Sequence, residues 1–314
     1  MNAAIRMEGL KKSFGRTEVL RGIDAEVPEG AIYALVGANG AGKTTMIKVL
    51  MNILRRSGGR AEVLGEDSRS LKGAKFCQIA YVSENQKLPE GMTVGAMLDF
   101  VRPFYPQWDR ALERELVERF DLPLRCKLKH LSRGMRMKAA FASSLPYRPK
   151  LMVFDEPLGG LDPLVRDELI EGILERAQDA TIFLSSHDLA EIESFASHVG
   201  YLENGRLLFS EEMGTLAERF REVTITLTGA ARLPAEMPEE WLLPEAKSSV
   251  VRFVHSRFHA GVSEREFAER FPAAKEVAVE AMPLRAIFLA IAKSGRKHRA
   301  AAPVKTTAEG KVGA

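Results

Sequence analysis

Cysteine is scarce in this 314-residue sequence, and long apolar runs are absent. The two cysteines, Cys77 and Cys126, lie far apart and outside any CxxC or Cys/His spacing, which argues against a disulfide framework or a zinc site. The longest apolar stretches, such as residues 151–154 and 181–184, have the length of strands and fall far short of the roughly 20 residues that cross a bilayer. We therefore expect any role at a membrane to depend on a partner chain.

The sequence also lacks a recognisable secretory signal and a large net charge. Residues 1–8 have neither the basic region nor the apolar core of a signal peptide, which predicts a cytoplasmic protein. The formal net charge is +3; residues 294–314, with five basic residues and one glutamate, carry +4, which leaves −1 for residues 1–293. A near-neutral body argues against a nucleic-acid-binding face. The basic segment 294–314 has no apolar periodicity and is predicted to be disordered.

Apolar runs alternate with helical patterns in the first two thirds of the chain. The apolar run 31–36 is followed by a glycine-rich segment and then by residues 45–54, whose apolar positions have helical spacing. Two further strand-like runs, 151–154 and 181–185, are separated by the helical pattern of residues 164–177. This alternation predicts a parallel α/β sheet.

Proline-broken helical patterns between these runs predict a mostly helical insertion at about residues 88–148. After Phe220, short strand and helix patterns predict a small α+β domain, with strands at 222–228, 249–255 and 276–280 and helices at 263–271 and 284–293. We therefore divide the chain into an α/β domain (1–220), an α+β appendage (221–293) and a basic disordered tail (294–314). The expected core of the appendage is Phe253, Val277, Val279, Ile287 and Leu289.

The segment Gly37–Thr44 fits the phosphate-binding pattern GxxxxGK[ST]. In that pattern, backbone N–H groups surround phosphate oxygens, and the glycines permit the turn and the close approach. Lys43 is expected to reach the β- and γ-phosphates, and the Thr44 hydroxyl to bind Mg²⁺. A chance match is expected in on the order of one percent of such chains, and the flanking strand and helix lower that figure further.

Three other segments carry polar residues where phosphate chemistry needs them. Asp155 and Glu156 end an apolar strand, an arrangement that places one carboxylate near a metal and another near an attacking water. Ser132 precedes a helical run and could cap a second anion-binding helix start. His187 follows the strand 181–185, at the edge of the sheet where ligands bind. Each feature alone is more often structural, and only their coexistence with Lys43 favours a catalytic site.

In their order along the chain, these motifs resemble those of the ATP-binding cassette (ABC) ATPases over about residues 5–216. Phe14 is similar to the aromatic residue that stacks on adenine, Asp162 to the D-loop aspartate, and residues 131–135 to the signature motif. The resemblance implies that Glu156 and His187 are catalytic and that Thr44, Asp155 and Glu84 bind Mg²⁺. It implies the nucleotide-binding set Phe14, Asn39, Gly40, Ala41, Gly42, Lys43, Thr44, Thr45, Ser132 and Gly134.

The sequence departs from the family pattern at two places. The usual signature is LSGGQ, whereas this chain has Arg133 and Met135 beside the matching Ser132 and Gly134. The glutamine loop is also changed, because the expected glutamine position holds Glu84 and a glutamine, Gln86, follows two residues later. Alignment favours Glu84 as the residue that approaches Mg²⁺ and the attacking water, and Gln86 is the alternative.

The resemblance implies a P-loop NTPase fold of the ABC type, with a mixed sheet core and a helical subdomain, followed by the α+β appendage. It further implies that two cassettes close head to tail on ATP, and a homodimer on a separate transmembrane permease at the inner face of the cell membrane is expected. The appendage is similar to those of bacterial export cassettes. Two alternatives stay open: a non-transport ATPase acting on ribosomes or nucleic acid, and a stand-alone regulatory ATPase whose appendage senses a ligand or extends the dimer.

One aromatic segment, Phe104-Tyr105-Pro106-Gln107-Trp108, lies within the predicted helical insertion. Three aromatic residues in five could line a groove that receives a permease helix, or they could pack into the core. The sequence favours neither reading.

Overall fold

The computed structural model describes the backbone of residues 2–177, 179–234 and 236–301. Among these residues, fourteen segments are strands: β1 (Ala3–Phe14), β2 (Thr17–Pro28), β3 (Ile32–Val36), β4 (Gly58–Val63), β5 (Glu66–Asp67), β6 (Ile79–Ser83), β7 (Leu151–Asp155), β8 (Thr181–Ser186), β9 (His198–Glu203), β10 (Arg206–Glu212), β11 (Arg221–Leu227), β12 (Trp241–Lys247), β13 (Val250–His255) and β14 (Ala274–Ala281). The α-helices are α1 (Lys43–Leu50), α2 (Val94–Val101), α3 (Arg110–Arg119), α4 (Arg133–Ser144), α5 (Pro163–Ala177), α6 (Met213–Arg219), α7 (Ser263–Arg270) and α8 (Leu284–Ala301). Over the described ranges, every helix is too short or too polar to cross a bilayer.

A six-stranded sheet in the order β10-β9-β3-β8-β7-β6 organises the first of two compact units, residues 1–213. Five of its strands run parallel, and the edge strand β10 is antiparallel to β9. β3, β7 and β8 are buried along their whole length, as parallel strands covered on both faces require. The predicted strand-and-helix alternation and the mixed sheet are confirmed.

A second, antiparallel sheet in the order β2-β1-β4-β5 belongs to the same unit and was not predicted. Its inward-facing residues, including Ile5, Leu10, Leu20 and Ile23, are fully buried in the same hydrophobic cluster as residues of β3 and α1. The β1–β4 pairing shifts register near Gly59, which has φ +73°. Gly59 also lies very close to β1, because a Cβ there would be 2.2 Å from the Gly9 carbonyl oxygen. Glycine is therefore required at this crossing of two backbones.

The chain between β6 and β7 is helical, in agreement with the predicted insertion. As the prolines predict, the helical pattern is broken: a 3₁₀ turn at Arg102–Phe104 that contains Pro103 follows α2 and precedes α3. α3 is capped by Asp109, whose carboxylate accepts hydrogen bonds from the backbone N–H groups of Ala111 and Leu112.

The aromatic segment of this insertion divides between core and surface. Tyr105 stacks on the buried Tyr147 with ring centroids 3.9 Å apart, and the indole N–H of Trp108 donates to Glu113. Phe104 is 64% exposed and forms an edge contact with Phe100, which is 55% exposed. Tyr105 and Trp108 therefore fit the packing interpretation, whereas contact of the exposed Phe104 with a permease stays a prediction.

The second compact unit begins at Gly214, earlier than the predicted boundary after residue 220. The end of α6 is hydrogen-bonded to this unit, because the Arg219 carbonyl accepts from the Phe258 N–H and the Arg219 guanidinium donates to the Ser256 carbonyl. The unit contains an antiparallel sheet in the order β12-β13-β11-β14, with α7 and α8. The strands and helices predicted after residue 220 are present as β11, β13, β14, α7 and α8, and β12 is a further strand that was not predicted.

An aromatic cluster forms the core of this unit. Trp241 stacks on Phe253 at 4.0 Å between ring centroids and also contacts Phe267 and Phe271. Ile287 is buried as expected, whereas Val277 and Leu289 are exposed. The expectation for Val277 was wrong because it lies on β14, an edge strand with only one neighbour, and that for Leu289 was wrong because it lies on the exposed side of α8.

The predicted disordered tail was wrong at its start, because α8 continues to Ala301. Alanine, lysine and arginine, which dominate residues 296–301, have high helix propensity and extend the helix past Ser294. The rest of the predicted tail, residues 302–314, lies outside the described residues.

Replacing Trp241 with alanine is expected to lower the free energy of unfolding of the C-terminal unit by about 3–5 kcal/mol, because it removes a buried ring from the centre of the aromatic cluster. Urea unfolding followed by circular dichroism measures the change. The control is Val262→Ala, at a valine that is 69% exposed; we expect a change within about 0.5 kcal/mol. Equal effects of the two substitutions would contradict the assigned core.

Candidate active site

Four parallel strands end at the same edge of the six-stranded sheet, and each is followed by a predicted site residue. The phosphate loop follows β3, Glu84 follows β6, Glu156 follows β7 and His187 follows β8. The loops are joined by backbone hydrogen bonds, since the Gly37 N–H donates to the Ser186 carbonyl and the Glu84 N–H to the Asp155 carbonyl. The sheet order therefore gathers residues that lie up to 150 positions apart.

The phosphate loop is held tightly against the sheet. A Cβ at Gly37 would lie 2.3 Å from the Leu202 carbonyl oxygen, so the strand β9 passes directly beside the loop. Gly40 and Gly42 have φ values of +80° and +113°, which other residues rarely adopt. Gly42 is the N-cap of α1, so the positive end of that helix faces the loop.

Lys43 is buried, with only 5% of its surface exposed, and its ammonium group has several close acceptors. Nζ donates to the carbonyl oxygens of Gly37 at 2.5 Å and Ala38 at 3.3 Å. It also lies 3.0 Å from Glu156 Oε1. A buried cation is stable only when paired and hydrogen-bonded, and these contacts supply both conditions.

Asp155 is buried and accepts hydrogen bonds from two hydroxyl groups. Its Oδ1 accepts from Thr44 Oγ1 at 3.0 Å and from Ser185 Oγ at 2.9 Å. Ser185 in turn accepts a hydrogen bond from the Glu156 N–H at 3.0 Å. Ser185 thus fixes both carboxylate residues at the end of β7.

Glu156 lies between a lysine and a histidine. Its Oε1 contacts Lys43, and its Oε2 lies 2.7 Å from His187 Nδ1. Glu156 has φ +53°, an unusual backbone angle for a residue other than glycine, and such strain is typical of active sites. The carboxylate therefore lies between two donors, on a residue whose backbone strain is offset by other contacts of the fold.

The pKa of His187 is raised, chiefly because the protonated ring hydrogen-bonds to Glu156; burial opposes the shift. The negative charges of Glu156 and Glu191 raise this pKa further, and the positive charge of Lys43 lowers it. Because the folded-state pKa lies above the ordinary value of 6.5, the stabilisation from the protonated ring is fully present below about pH 6.5 and is lost as the pH rises through the folded-state pKa.

The start of α4 places the signature residues. Ser132 caps the helix by accepting a hydrogen bond from the Met135 N–H at 3.2 Å. Gly134 faces α5, where a Cβ would lie 3.2 Å from a methyl group of Val165, so a larger residue there would have to push α5 aside. Arg133 points away from the helix and donates to the Glu84 carboxylate and to the Gly159 carbonyl.

Among the described contacts, the Glu84 carboxylate does not join the other two predicted Mg²⁺ ligands, and its role at the metal stays a prediction. Thr44 and Asp155 are hydrogen-bonded to each other, whereas the Glu84 carboxylate is paired with Arg133. The sequence analysis assigned Glu84 to Mg²⁺ because it occupies the glutamine-loop position. In the family, that position normally holds an uncharged glutamine. Here the negative charge attracts the arginine of the altered signature.

The remaining predicted residues lie around this centre. Phe14 is exposed at the end of β1, with Lys12 Nζ 4.6 Å from its ring centroid. Gln86 accepts a long hydrogen bond from the Ser83 N–H at 3.4 Å, and Asp162 accepts from the Val165 N–H at the start of α5. In the phosphate loop, Asn39 and Gly40 are exposed, Ala41 and Gly42 are buried, and Thr45 is half-buried.

Sequence reasoning missed a second polar network behind His187. Ser186 Oγ donates to Glu191, which is buried and paired with Arg166 at 3.3 Å. Sequence reasoning also missed Ser185, whose hydroxyl is the only buried side-chain partner of Asp155 on β8 among the described residues. A run of two serines at the end of an apolar strand was the available signal for both.

The comparisons with known proteins identify the family. A family model described as ABC transporter matches residues 20–159. The daunorubicin resistance ATP-binding protein DrrA2 of Streptomyces coeruleorubidus is 31% identical over 277 residues, which cover 83% of this chain and 84% of that protein. The chain belongs to the ABC transporter family. A solved structure of an ATP-binding subunit of an ABC transporter matches with a TM-score of 0.62 and 28% identity, over 68% of this chain and 92% of that one.

Another ABC relative is the lantibiotic transport ATP-binding protein SrtF of Streptococcus pyogenes, which is 30% identical over 66% of this chain and 90% of its own length. As a member of the ABC family, the chain binds ATP and hydrolyses it. The alternative of a non-transport ATPase is not favoured, because these relatives are named as transport or resistance ATP-binding proteins.

Replacing Glu156 with glutamine is expected to lower the pKa of His187 towards its ordinary value, because the charged hydrogen-bond acceptor is lost. The pKa is measured by NMR titration of the histidine ring protons in both proteins. His198 provides the internal control, since its ring contacts Ser197 and not Glu156. A His187 pKa that stays unchanged in the variant would contradict the pairing.

Proposed function

We propose that this chain is the nucleotide-binding subunit of an ABC exporter and that it drives a separate membrane permease. The observation that supports it most strongly is the position of Glu156 between Lys43 and His187 at the mouth of the phosphate loop. The direction of transport follows the relatives named for drug resistance and lantibiotic transport. The cargo is chosen by the permease, because the site described above recognises nucleotide alone.

In the proposed mechanism, Lys43 exchanges its present contacts for contacts with the ATP phosphates. Its ammonium group lies on the phosphate-loop carbonyls and on Glu156, so phosphate oxygens entering the loop compete for the same donors. When Lys43 turns to the phosphates, Glu156 loses its strongest positive neighbour and becomes available as a proton acceptor. Nucleotide binding and activation of the base are thereby linked through one side chain.

Glu156 then acts on the attacking water. A carboxylate that accepts a proton from water at the γ-phosphate makes the nucleophile stronger, and the ring of His187 orients this carboxylate through the bond at Nδ1. His187 also supplies positive charge when protonated, which favours the negative charge that develops on the phosphoryl group.

The Thr44 hydroxyl and the Asp155 carboxylate fit a Mg²⁺ ion. Their oxygen atoms lie 3.0 Å apart, and hydroxyl and carboxylate oxygens are the ligands that Mg²⁺ prefers beside nucleotide phosphates. When bound, Mg²⁺ supplies charge neutralisation of the phosphates. Ser185 holds Asp155 in place for this role through its bond to Oδ1.

A second copy of the chain completes the site. Ser132 is exposed, and its hydroxyl bonds only within its own helix start among the contacts described, not to the phosphate loop of the same chain. The N-terminus of α4 therefore presents an anion-binding surface to another molecule, in line with the head-to-tail homodimer implied by the family.

The exposed pair Phe100 and Phe104 is the proposed contact with the permease. Two neighbouring phenylalanine rings, each more than half exposed, form an apolar patch on the helical insertion. Such anchors are typical of interfaces that receive a helix. We place the ATPase at the cytoplasmic face of the membrane through this contact.

Glu156→Gln is expected to reduce kcat by about 100- to 10,000-fold, because the general base is lost, while ATP still binds. The variant should accumulate as a dimer when ATP and Mg²⁺ are present, as measured by sedimentation velocity. Lys43→Ala is the matched control; it removes the cation that meets the phosphates, so neither binding nor the dimer is expected. A Glu156→Gln protein that binds ATP and sediments only as a monomer would contradict the proposed dimer.

A cysteine at position 104 is expected to crosslink to the co-expressed permease with a short bifunctional reagent, after Cys77 and Cys126 are replaced by serine. A cysteine at position 53 is the control, since Ile53 is similarly exposed but follows α1. The products are identified by mass spectrometry. Labelling at position 104 that stays within the chain would overturn the assigned contact surface.

A further inference from the structure

Two charged residues replace uncharged ones at the departures from the family pattern, and they contact each other. Arg133, the first residue of α4, donates to the carboxylate of Glu84, which lies in the loop after β6. The same guanidinium nitrogen donates to the Gly159 carbonyl. Glu84 and Arg133 are 49 residues apart in the chain, so nothing local in the sequence brings them together.

The position of Arg133 is unfavourable for a cation when α4 is considered alone. The N-terminus of a helix carries a partial positive charge, and the first turn of α4 contains no acidic residue that would offset an arginine. A cation placed against the positive end of a helix indicates that another contact offsets the unfavourable charge. Glu84 provides that contact.

The pair also lies against the loop that carries Asp162. A Cβ at Gly160 would lie 2.9 Å from Arg133 Nη1, and Gly160 has φ +64°, so the guanidinium rests directly on the loop backbone. A Cβ at Gly159 would lie 3.7 Å from Glu84 Oε2 and 3.7 Å from His187 Cε1. The second carboxylate oxygen of Glu84 and the ring of His187 therefore border the same small space.

At this position, the negative charge of Glu84 is expected to affect the binding of the ATP phosphates. Glu156, Asp155 and Glu84 all lie at the sheet edge that receives the phosphates, and each adds negative charge where ATP brings more. Lys43 contacts Glu156, and hydroxyl groups contact Asp155, but Arg133 is the cation paired with Glu84 in the described contacts. Without Arg133, the Glu84 carboxylate would repel phosphates bound at this sheet edge.

We propose that Arg133 is a positioning residue for ATP binding, because it neutralises and holds Glu84 beside the catalytic loop so that a carboxylate is tolerated at the glutamine-loop position. Arg133 and Glu84 then form one functional unit: the carboxylate is tolerated only with the arginine, and the arginine matters for nucleotide binding only while the carboxylate is present. The unit also ties the loop 157–162 to α4 through the hydrogen bond from Arg133 to the Gly159 carbonyl.

A double-mutant cycle tests the unit in the full-length chain. The Kd for a fluorescent ATP analogue with Mg²⁺ is measured at protein concentrations too low for dimers to form, so that only contacts within one chain contribute. Arg133→Gln is expected to weaken binding about three- to tenfold, the effect of one uncompensated charge at several ångströms in a partly exposed site. Glu84→Gln alone is expected not to weaken it, and the double variant should return to within about twofold of the wild type.

Three further measurements distinguish the effect of losing the positive charge of Arg133 from the effect of a folding defect in the variant. Arg133→Lys keeps the charge and is expected to restore most of the affinity lost in Arg133→Gln. At 0.5 M salt the difference between Arg133→Gln and the wild type should shrink to about twofold or less, because partly exposed charges are screened. Arg136→Gln, at an exposed arginine that lines the same cleft as Arg133 and Glu84, is the matched control and should change Kd by less than about twofold.

The outcome that overturns the proposal is a loss of affinity in Arg133→Gln that persists undiminished when Glu84 is also glutamine. Arg133 would then act on the nucleotide directly. A loss that persists in Arg133→Lys and at high salt would show a packing defect and would overturn it as well. ATP binding by the isolated chain needs no permease, so neither result depends on the proposed transport function.

Discussion

The ammonium group of Lys43 is buried at the centre of the site, and the surrounding residues supply its hydrogen-bond acceptors and its counter-charge. A cation with 5% of its surface exposed is tolerated only if its donors are used and its charge is balanced. The phosphate-loop carbonyls use the donors, and Glu156 balances the charge. ATP phosphates would offer the same cation more negative charge, so in the proposed mechanism nucleotide replaces the contacts that stabilise Lys43 in this structure.

This arrangement depends on the order of the strands. Lys43 follows β3 and Glu156 follows β7, and β8 lies between those two strands in the sheet. Ser185 at the end of β8 bonds to Asp155 and receives the Glu156 N–H, so the middle strand fixes the carboxylates opposite the lysine. The left-handed backbone of Glu156 then turns its side chain back towards the loop. A different strand order would leave Lys43 buried without a counter-charge.

Sequence reasoning placed the candidate site residues at one sheet edge because their positions follow from local patterns. A glycine-rich segment after an apolar run, and acidic or histidine residues directly after other such runs, are expected to meet at one sheet edge. The antiparallel sheet of β1, β2, β4 and β5 was missed, since its residues alternate between core and surface with bulges that interrupt the period. β12 was missed because Pro244 interrupts its strand pattern, and the folded strand shifts register between Leu242 and Glu245.

Contacts between distant residues could not be predicted. Arg133 and Glu84 each read as an isolated departure from a motif, and only the folded chain shows that the two side chains contact each other. The exposure of Val277 and Leu289 likewise depends on which neighbours the sheet and helix have, which a single sequence does not state.

The measurement that tests the central role of Lys43 most directly is a crystal structure of the wild-type chain with Mg²⁺ and a non-hydrolysable ATP analogue. The account predicts that Lys43 Nζ leaves Glu156 Oε1 and lies about 3 Å from phosphate oxygens, while His187 stays bonded to Glu156. A structure in which nucleotide is bound and Lys43 still contacts both the Gly37 carbonyl and Glu156 would contradict it.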